Sequence, residues 1–71
     1  MIVVYGNLET CGKCKMVHKK LIDKHIKFEF IDDEDAVMEA AQKIGVMGIP
    51  FALIDKIPYN SNELMKYIIT L

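Results

Sequence analysis

The strongest constraint on the fold is the alternation of short strand-like and helix-like segments along only 71 residues. Ile2–Tyr5 is an unbroken run of β-favouring residues, typical of a strand buried on both faces of an α/β sheet. From Cys11 the apolar residues recur at helical spacing, and Thr10 is the expected N-cap of this helix. Ile26–Ile31 returns to a strand-like alternation. The chain therefore begins as a β-α-β unit.

The second half of the chain continues the alternation of helix and strand, but its two strands follow each other directly. Apolar spacing and an acidic first turn predict a helix over Glu34–Ile44, with Gly45 as its C-cap. Phe51–Ile54 is expected to form a third strand. A two-residue turn, Asp55-Lys56, then joins it to a fourth strand at Ile57–Tyr59, so these two strands form an antiparallel hairpin.

A last helix is expected after Asn60, because Asn60 and Glu63 have the spacing of a capping box and Leu64 begins a helical apolar pattern. Pro58 makes the fourth strand an edge of the sheet. The order β-α-β-α-β-β-α predicts an α/β fold with a four-stranded mixed sheet and helices on both faces. No linker, repeat or low-complexity segment interrupts the pattern, so residues 1–71 are expected to form a single domain.

Composition and charge argue against several classes of function. Nine lysines and no arginine stand against ten acidic residues, and a formal net charge of -1 does not suit a dedicated nucleic-acid binder. Six lysines fall between Lys13 and Lys27, whereas Asp32–Asp35 and Glu39 form an acidic block. No stretch reaches the roughly 18–20 apolar residues of a membrane span, and Met1–Gly6 resembles no cleavable leader. We expect a cytoplasmic protein that binds neither nucleic acid nor membrane, and we expect a monomer.

The two cysteines, Cys11 and Cys14, lie at the predicted junction of the first strand and the first helix. Two cysteines cannot form the dense disulfide framework of a secreted mini-protein. We therefore expect them to be reactive and not structural. Free N–H groups and the dipole at a helix N-terminus stabilise a thiolate, which makes Cys11 the expected nucleophile. Cys14, one turn further and facing the core, is the expected resolving thiol. Lys13 and Lys15 should favour the Cys11 thiolate further, and Glu9 opposes them.

A structural zinc site is one competing interpretation of these residues. It needs four ligands, and the chain offers only Cys11, Cys14, His18 and His25, without a second cysteine pair. Because both histidines lie farther along the same predicted helix, its surface cannot surround a tetrahedral ion, and we expect no metal. A second alternative is a pair of unreactive cysteines, although a buried structural pair would not normally lie at a helix N-terminus after a strand.

Three sequence features together resemble the thioredoxin superfamily: Tyr5-Gly6, the tetrapeptide Cys11-Gly12-Lys13-Cys14, and the run Gly-Val-Met-Gly-Ile-Pro over Gly45–Pro50. The length and the early cysteine pair are similar to its small glutaredoxin-like members, and the resemblance covers essentially the whole chain. It implies a thioredoxin-like fold and a thiol–disulfide oxidoreductase that works through a redox-active Cys11–Cys14 disulfide without a bound cofactor. It also implies a cis Ile49–Pro50 bond beside the cysteine pair. The substrate would contact Met47, Gly48, Ile49 and Pro50, and its extended backbone would pair with Ile49.

The same resemblance implies the partners. The substrate would be a disulfide in a protein or small molecule, with ribonucleotide reductase or another cytosolic disulfide enzyme as acceptor. A thioredoxin reductase or glutathione would restore the electrons. Two other functions stay open: a non-catalytic interaction module of the same fold with an apolar rim at Met47, Ile49 and Phe51, and an iron–sulfur carrier bridged by Cys11 across a dimer.

Overall fold

The computed structural model describes residues 1–71 and has the predicted element order. The elements are β1 (Ile2–Tyr5), α1 (Gly12–Asp23), β2 (Phe28–Ile31), α2 (Glu34–Ile44), β3 (Phe51–Ile54), β4 (Ile57–Tyr59) and α3 (Ser61–Thr70). Only β2 begins clearly later than predicted. The reason is the exit from α1, where His25 has a φ of 57° and the Ile26 N–H donates to the Leu21 carbonyl at 3.0 Å. Ile26 therefore belongs to the turn that closes α1 and not to the strand.

The four strands form one mixed sheet in the order β2-β1-β3-β4. β1 is parallel to β2 and antiparallel to β3, and β3 is antiparallel to β4. The turn between β3 and β4 consists of Asp55 and Lys56, whose φ angles of 51° and 69° suit the sharp reversal of a two-residue hairpin. Pro58 lies in β4 at the edge of the sheet, which confirms the prediction made from its missing N–H.

The main core lies between one face of the sheet and the two helices α1 and α3. Residues two apart along a strand point to the same face, so Ile2 and Val4 of β1 align with Ile54 and Ala52 of β3. Against them pack the apolar stripes of the two helices: Val17, Leu21, Leu64 and Ile68. Phe28 and Phe30 of β2 extend this layer toward one edge.

The opposite face of the sheet carries α2 and is covered less completely. Tyr5 and Phe51 stack there with ring centroids 5.0 Å apart, and Phe51 is fully buried. Ala40 and Ile44 of α2 lie over Tyr5 and Leu53, but no residue of α2 is buried. Helices therefore lie on both faces, as predicted. β1, expected to be buried on both faces, is only half-buried on this one because α2 lies above it without filling the layer.

The predicted ends of α2 and α3 are confirmed. Gly45 terminates α2 in the left-handed conformation, with a φ of 84°. At the start of α3, the Asn60 side chain accepts from the Glu63 N–H at 2.9 Å, and the Glu63 carboxylate accepts from the Asn60 N–H at 3.0 Å. This reciprocal pair is the capping box that the spacing predicted. None of the three helices combines the length and the apolar character that crossing a membrane requires.

Candidate functional site

The loop between β1 and α1 places both cysteines. Asn7 forms the hydrogen bonds that shape this loop. Its side-chain oxygen accepts from the N–H groups of Glu9 at 2.8 Å and Thr10 at 3.1 Å. The Asn7 carbonyl accepts from the Cys11 N–H at 3.2 Å. The prediction that Thr10 is the N-cap of α1 is wrong, because this turn occupies Thr10 and the helix begins one residue later. Cys11 is the N-cap.

Cys11 is partly exposed, and its sulfur takes the place that a serine or aspartate oxygen usually has at an N-cap. The Cys14 N–H donates to the Cys11 Sγ at 3.2 Å. The first turn of α1 contains no acidic residue. Lys13 and Lys15 lie in it with exposed side chains and form no ion pair. The Cys11 sulfur therefore accepts a backbone hydrogen bond at the N-terminal end of the helix dipole.

Cys14 has entirely different surroundings, because its side chain has no exposed area. Its Sγ accepts a long hydrogen bond from the Asn7 N–H at 3.4 Å. The pKa of Cys14 is raised from 9.0 to about 11, mainly by burial and also by the hydrogen bond between the two thiols and the nearby charge of Cys11, while the Asn7 N–H partly opposes them. At neutral pH the buried thiol therefore keeps its proton beside a partly exposed partner. Both cysteines are free.

Gly6, named above only as part of the family resemblance, has a packing role at the site that the sequence did not predict. A Cβ atom built on it would lie 2.6 Å from the Cys14 Sγ and 3.3 Å from the Phe30 Cζ. Any larger residue would therefore displace the sulfur or the ring. The only signal in the sequence is the position of a glycine directly after β1, which equally suits a simple strand end. The role of Asn7 was not predicted either. Its main chain contacts both cysteines, and the identity of its side chain gives no sign of such contacts.

The segment before β3 places the predicted substrate-binding residues. Met47 is fully exposed, Ile49 is partly exposed, and both line a groove that Gly48 also lines. The Ile49–Pro50 peptide bond is cis, as the resemblance implied. Pro50 itself is buried, and its carbonyl accepts from the Ser61 Oγ at 2.6 Å. This bond ties the segment to the N-terminus of α3.

Phe51 does not belong to an exposed apolar rim, contrary to the expectation for an interaction module. Its side chain has no exposed area, and its ring stacks on Tyr5 on the face of the sheet that carries α2. Only Met47 and Ile49 of that expected rim reach the surface.

Neither histidine is hydrogen-bonded to a thiol. The ring of His18 packs edge-on against Phe28 and Phe30, with centroids 5.5 Å from each, and His25 is exposed beyond the end of α1. Nowhere do three or more His, Cys, Asp or Glu side chains come together in a way that could hold a metal ion. The ligand set considered for zinc is thus dispersed.

Fold and site together define a small α/β protein with two free thiols of unequal exposure at a helix N-terminus. Comparisons with protein-family models, with curated proteins and with solved structures found no match.

Proposed function

We propose that this protein is a thiol–disulfide oxidoreductase of thioredoxin-like fold, in which Cys11 is the nucleophile and Cys14 is the resolving thiol. The proposal rests on the difference in exposure and hydrogen bonding between the two sulfurs. Cys11 is partly exposed and accepts an N–H bond at the start of a helix, whereas Cys14 is buried and keeps its proton. A dithiol that opens one disulfide and closes another needs this asymmetry, because one sulfur must meet the substrate first.

In the first step the Cys11 thiolate attacks one sulfur of the substrate disulfide. A bond forms between Cys11 and that sulfur, the substrate S–S bond breaks, and the other substrate sulfur leaves with the electron pair as a thiolate. The thiolate takes a proton from water. The product of this step is a mixed disulfide between Cys11 and the substrate.

In the second step the Cys14 sulfur forms a bond with the Cys11 sulfur and the bond between Cys11 and the substrate breaks. The second substrate sulfur leaves with the electron pair as a thiolate and takes a proton from water. The proton of Cys14 goes to water. The balance is one substrate disulfide and two protein thiols converted into two substrate thiols and a Cys11–Cys14 disulfide. Two of the influences that raise the Cys14 pKa are the hydrogen bond and the charge of Cys11, and both disappear once that sulfur is in the mixed disulfide. Cys14 therefore becomes easier to deprotonate at the stage where it must react.

The thioredoxin-like assignment is supported by the element order, by the cysteine pair at the β1–α1 junction and by the Gly48-Ile49-Pro50 segment before β3. No bound cofactor is required by these two steps. We propose that a dithiol reductase of the thioredoxin reductase type or glutathione restores the thiols. The acceptor in this proposal is a disulfide-containing protein such as ribonucleotide reductase, in a cytoplasmic setting where both cysteines stay reduced between cycles.

Two serine variants test the proposal through the different roles of the cysteines. We expect Cys11→Ser to abolish the reduction of insulin disulfides by dithiothreitol through this protein. Cys14→Ser should instead accumulate a mixed disulfide through Cys11, visible as an added mass that dithiothreitol removes. The proposal fails if Cys11→Ser keeps the wild-type rate, or if Cys14→Ser turns over at the wild-type rate, since the resolving role of Cys14 would then be wrong.

A further inference from the structure

A groove of about 470 Å³ lies between the thiol site and α2. One wall is the start of the β1–α1 loop at Gly6 and Asn7, and the opposite wall is the first half of α2. The segment that includes Met47 and Ile49 closes it from a third side. A groove of this size can hold one or two amino-acid side chains of a bound polypeptide.

The groove shares a wall with the two sulfurs. Asn7 lines it and also contacts both cysteines, through its N–H to the Cys14 Sγ at 3.4 Å and through its carbonyl to the Cys11 N–H at 3.2 Å. Gly6 lines it too, and the Cys14 sulfur lies directly behind this glycine. A molecule bound in the groove is therefore in contact with the residues that position the reacting atoms.

Much of the lining is apolar and adaptable. Val37 and Ala41 of α2 form part of it, and the side chains of Met38 and Met47 stand exposed at its border. Methionine is flexible and polarisable, and it fits partners of varied shape. An apolar side chain that enters the groove loses contact with water and gains contact with these methionines, which favours binding.

The charge at one end of the groove is negative. Asp32 and Glu34 line it, and neither carboxylate forms an ion pair or a hydrogen bond. Their neighbour Asp33 is engaged differently, because it caps α2 by accepting from the Ala36 N–H at 3.2 Å. No lysine or histidine lines the groove. The dipole of α2 contributes only about half a positive charge at its N-terminus, so two free carboxylates leave this end negative.

We propose that this groove recognises the substrate, and the proposal rests on the disulfide-exchange function above. The occupant is an extended polypeptide segment that carries an apolar side chain and a lysine or arginine next to its disulfide cysteine. The apolar side chain lies against Met38 and Met47, and the cation lies near Asp32 and Glu34. Glutathione disulfide carries more carboxylates than ammonium groups, so the same two acids disfavour it.

The test uses short peptides whose single cysteine is disulfide-linked to thionitrobenzoate, a coloured leaving group. Three peptides share a leucine and differ only in the residue before the cysteine, which is lysine, glutamine or glutamate. Reduced protein is mixed with each peptide, and the release of thionitrobenzoate is followed by absorbance. Each rate is divided by the rate of the same peptide with dithiothreitol, which removes differences in intrinsic reactivity.

We expect the normalised rate for the lysine peptide to exceed that for the glutamate peptide by roughly three- to tenfold, the range for one or two exposed charge contacts. The ratio should fall as salt shortens the range of the interaction. The double variant D32N/E34Q should bring the ratio close to one. The control D23N/E39Q removes the same number of charges at exposed positions outside the groove and should keep the wild-type ratio.

Different failures point to different errors. A wild-type ratio of one with rapid release of thionitrobenzoate overturns the groove proposal and leaves the oxidoreductase intact. A ratio that survives in D32N/E34Q, or glutathione disulfide reacting as fast as the lysine peptide, also overturns it. A concentration-dependent dimer that reacts more slowly than the monomer would show that a second copy occupies the groove instead. No release from any peptide by folded, reduced protein overturns the proposed function itself.

Discussion

The two faces of the sheet are built from similar residues but packed to different degrees. On one face, α1 and α3 bury Val17, Leu21, Leu64 and Ile68 completely. On the other, α2 buries none of its residues, and Met38 is more than half exposed. The closed face continues to Cys14, which belongs to the same buried stripe of α1. The less completely covered face, beneath α2, borders the groove. Under the proposed function, one face would hold the resolving thiol in place while the other would stay accessible to substrate.

Core truncation gives the largest contrast between the two faces. Leu21→Ala should cost about 2–5 kcal/mol, because the closed face cannot collapse around the cavity. A chain this short has a total stability of only about 3–5 kcal/mol, so this variant should be mostly unfolded. Ile44→Ala, on the half-buried side of α2, should cost about 1 kcal/mol or less. Urea unfolding followed by circular dichroism measures both, and equal losses would contradict the comparison.

The pH dependence of stability tests whether the closed face extends to Cys14. The pKa of this thiol is about 11 in the folded protein against an ordinary value of 9.0, so the unfolded chain loses the proton first as pH rises. Stability contributed by the neutral thiol is fully present below pH 9 and is lost between pH 9 and 11, by at most about 2–3 kcal/mol.

Urea midpoints of the reduced protein across this range give the slope, with Cys14→Ser as the reference for lysine and tyrosine titration. The wild type should lose stability more steeply than the variant. Parallel slopes would mean that Cys14 is not held away from water.

Two glycine variants test how tightly the residues around Cys14 are packed. Gly6→Ala forces a methyl group against the Cys14 Sγ and should cost about 1–3 kcal/mol, as overpacking of a filled core does. Displacement of the sulfur should also prolong the mixed disulfide. Gly12→Ala is the matched control, because a Cβ there meets nothing within 4 Å and an alanine in a helix gains about 0.5–1 kcal/mol. If both variants behave alike, the close approach of Gly6 to Cys14 has no importance.

The smallest effect is expected for charge at the exposed end of the site. Lys13→Glu reverses a charge in the first turn of α1 and should slow the alkylation of Cys11 by iodoacetamide at pH 7 roughly two- to fivefold. Lys19→Glu makes the same reversal at an exposed position further along the helix and should change the rate less. High salt should remove most of the difference. Identical rates in the two variants would leave the helix terminus as the only influence on this sulfur.

Local sequence signals predicted those parts of the fold that depend on neighbouring residues. The bounds of α2 followed from its apolar period, its acidic first turn and Gly45, which all act within the helix. The α3 capping box and the Asp55-Lys56 turn are equally local. The start of β2 was misplaced because the exit bonds of α1 reach to Ile26, beyond the point at which its apolar stripe stops.

The cap of α1 and the features that depend on how segments pack together could not be predicted. Threonine is favoured over cysteine at helix N-caps, so nothing in the sequence placed the cap at Cys11. It was the side chain of Asn7 that closed a turn around Thr10. The burial of Phe51 and the groove beside α2 arise when segments far apart in sequence meet, and the approach of Gly6 to Cys14 depends on how the loop between β1 and α1 folds back. The sequence predicted both cysteines and Met47, Gly48 and Ile49 as candidate site residues, but not their arrangement around Asn7.

The most direct test of the central claim is the redox titration of Cys11 and Cys14. Protein equilibrated in buffers of graded glutathione and dithiothreitol poise is alkylated, and the mass shift counts the free thiols. We predict a reversible change from two alkylated thiols to none, with the slope of a two-electron couple, about 30 mV per tenfold change in the ratio. A midpoint near about −270 mV would favour a reductase as electron donor, and one near about −200 to −230 mV would favour glutathione. Two thiols that stay free and alkylate slowly at every poise would contradict the proposed function.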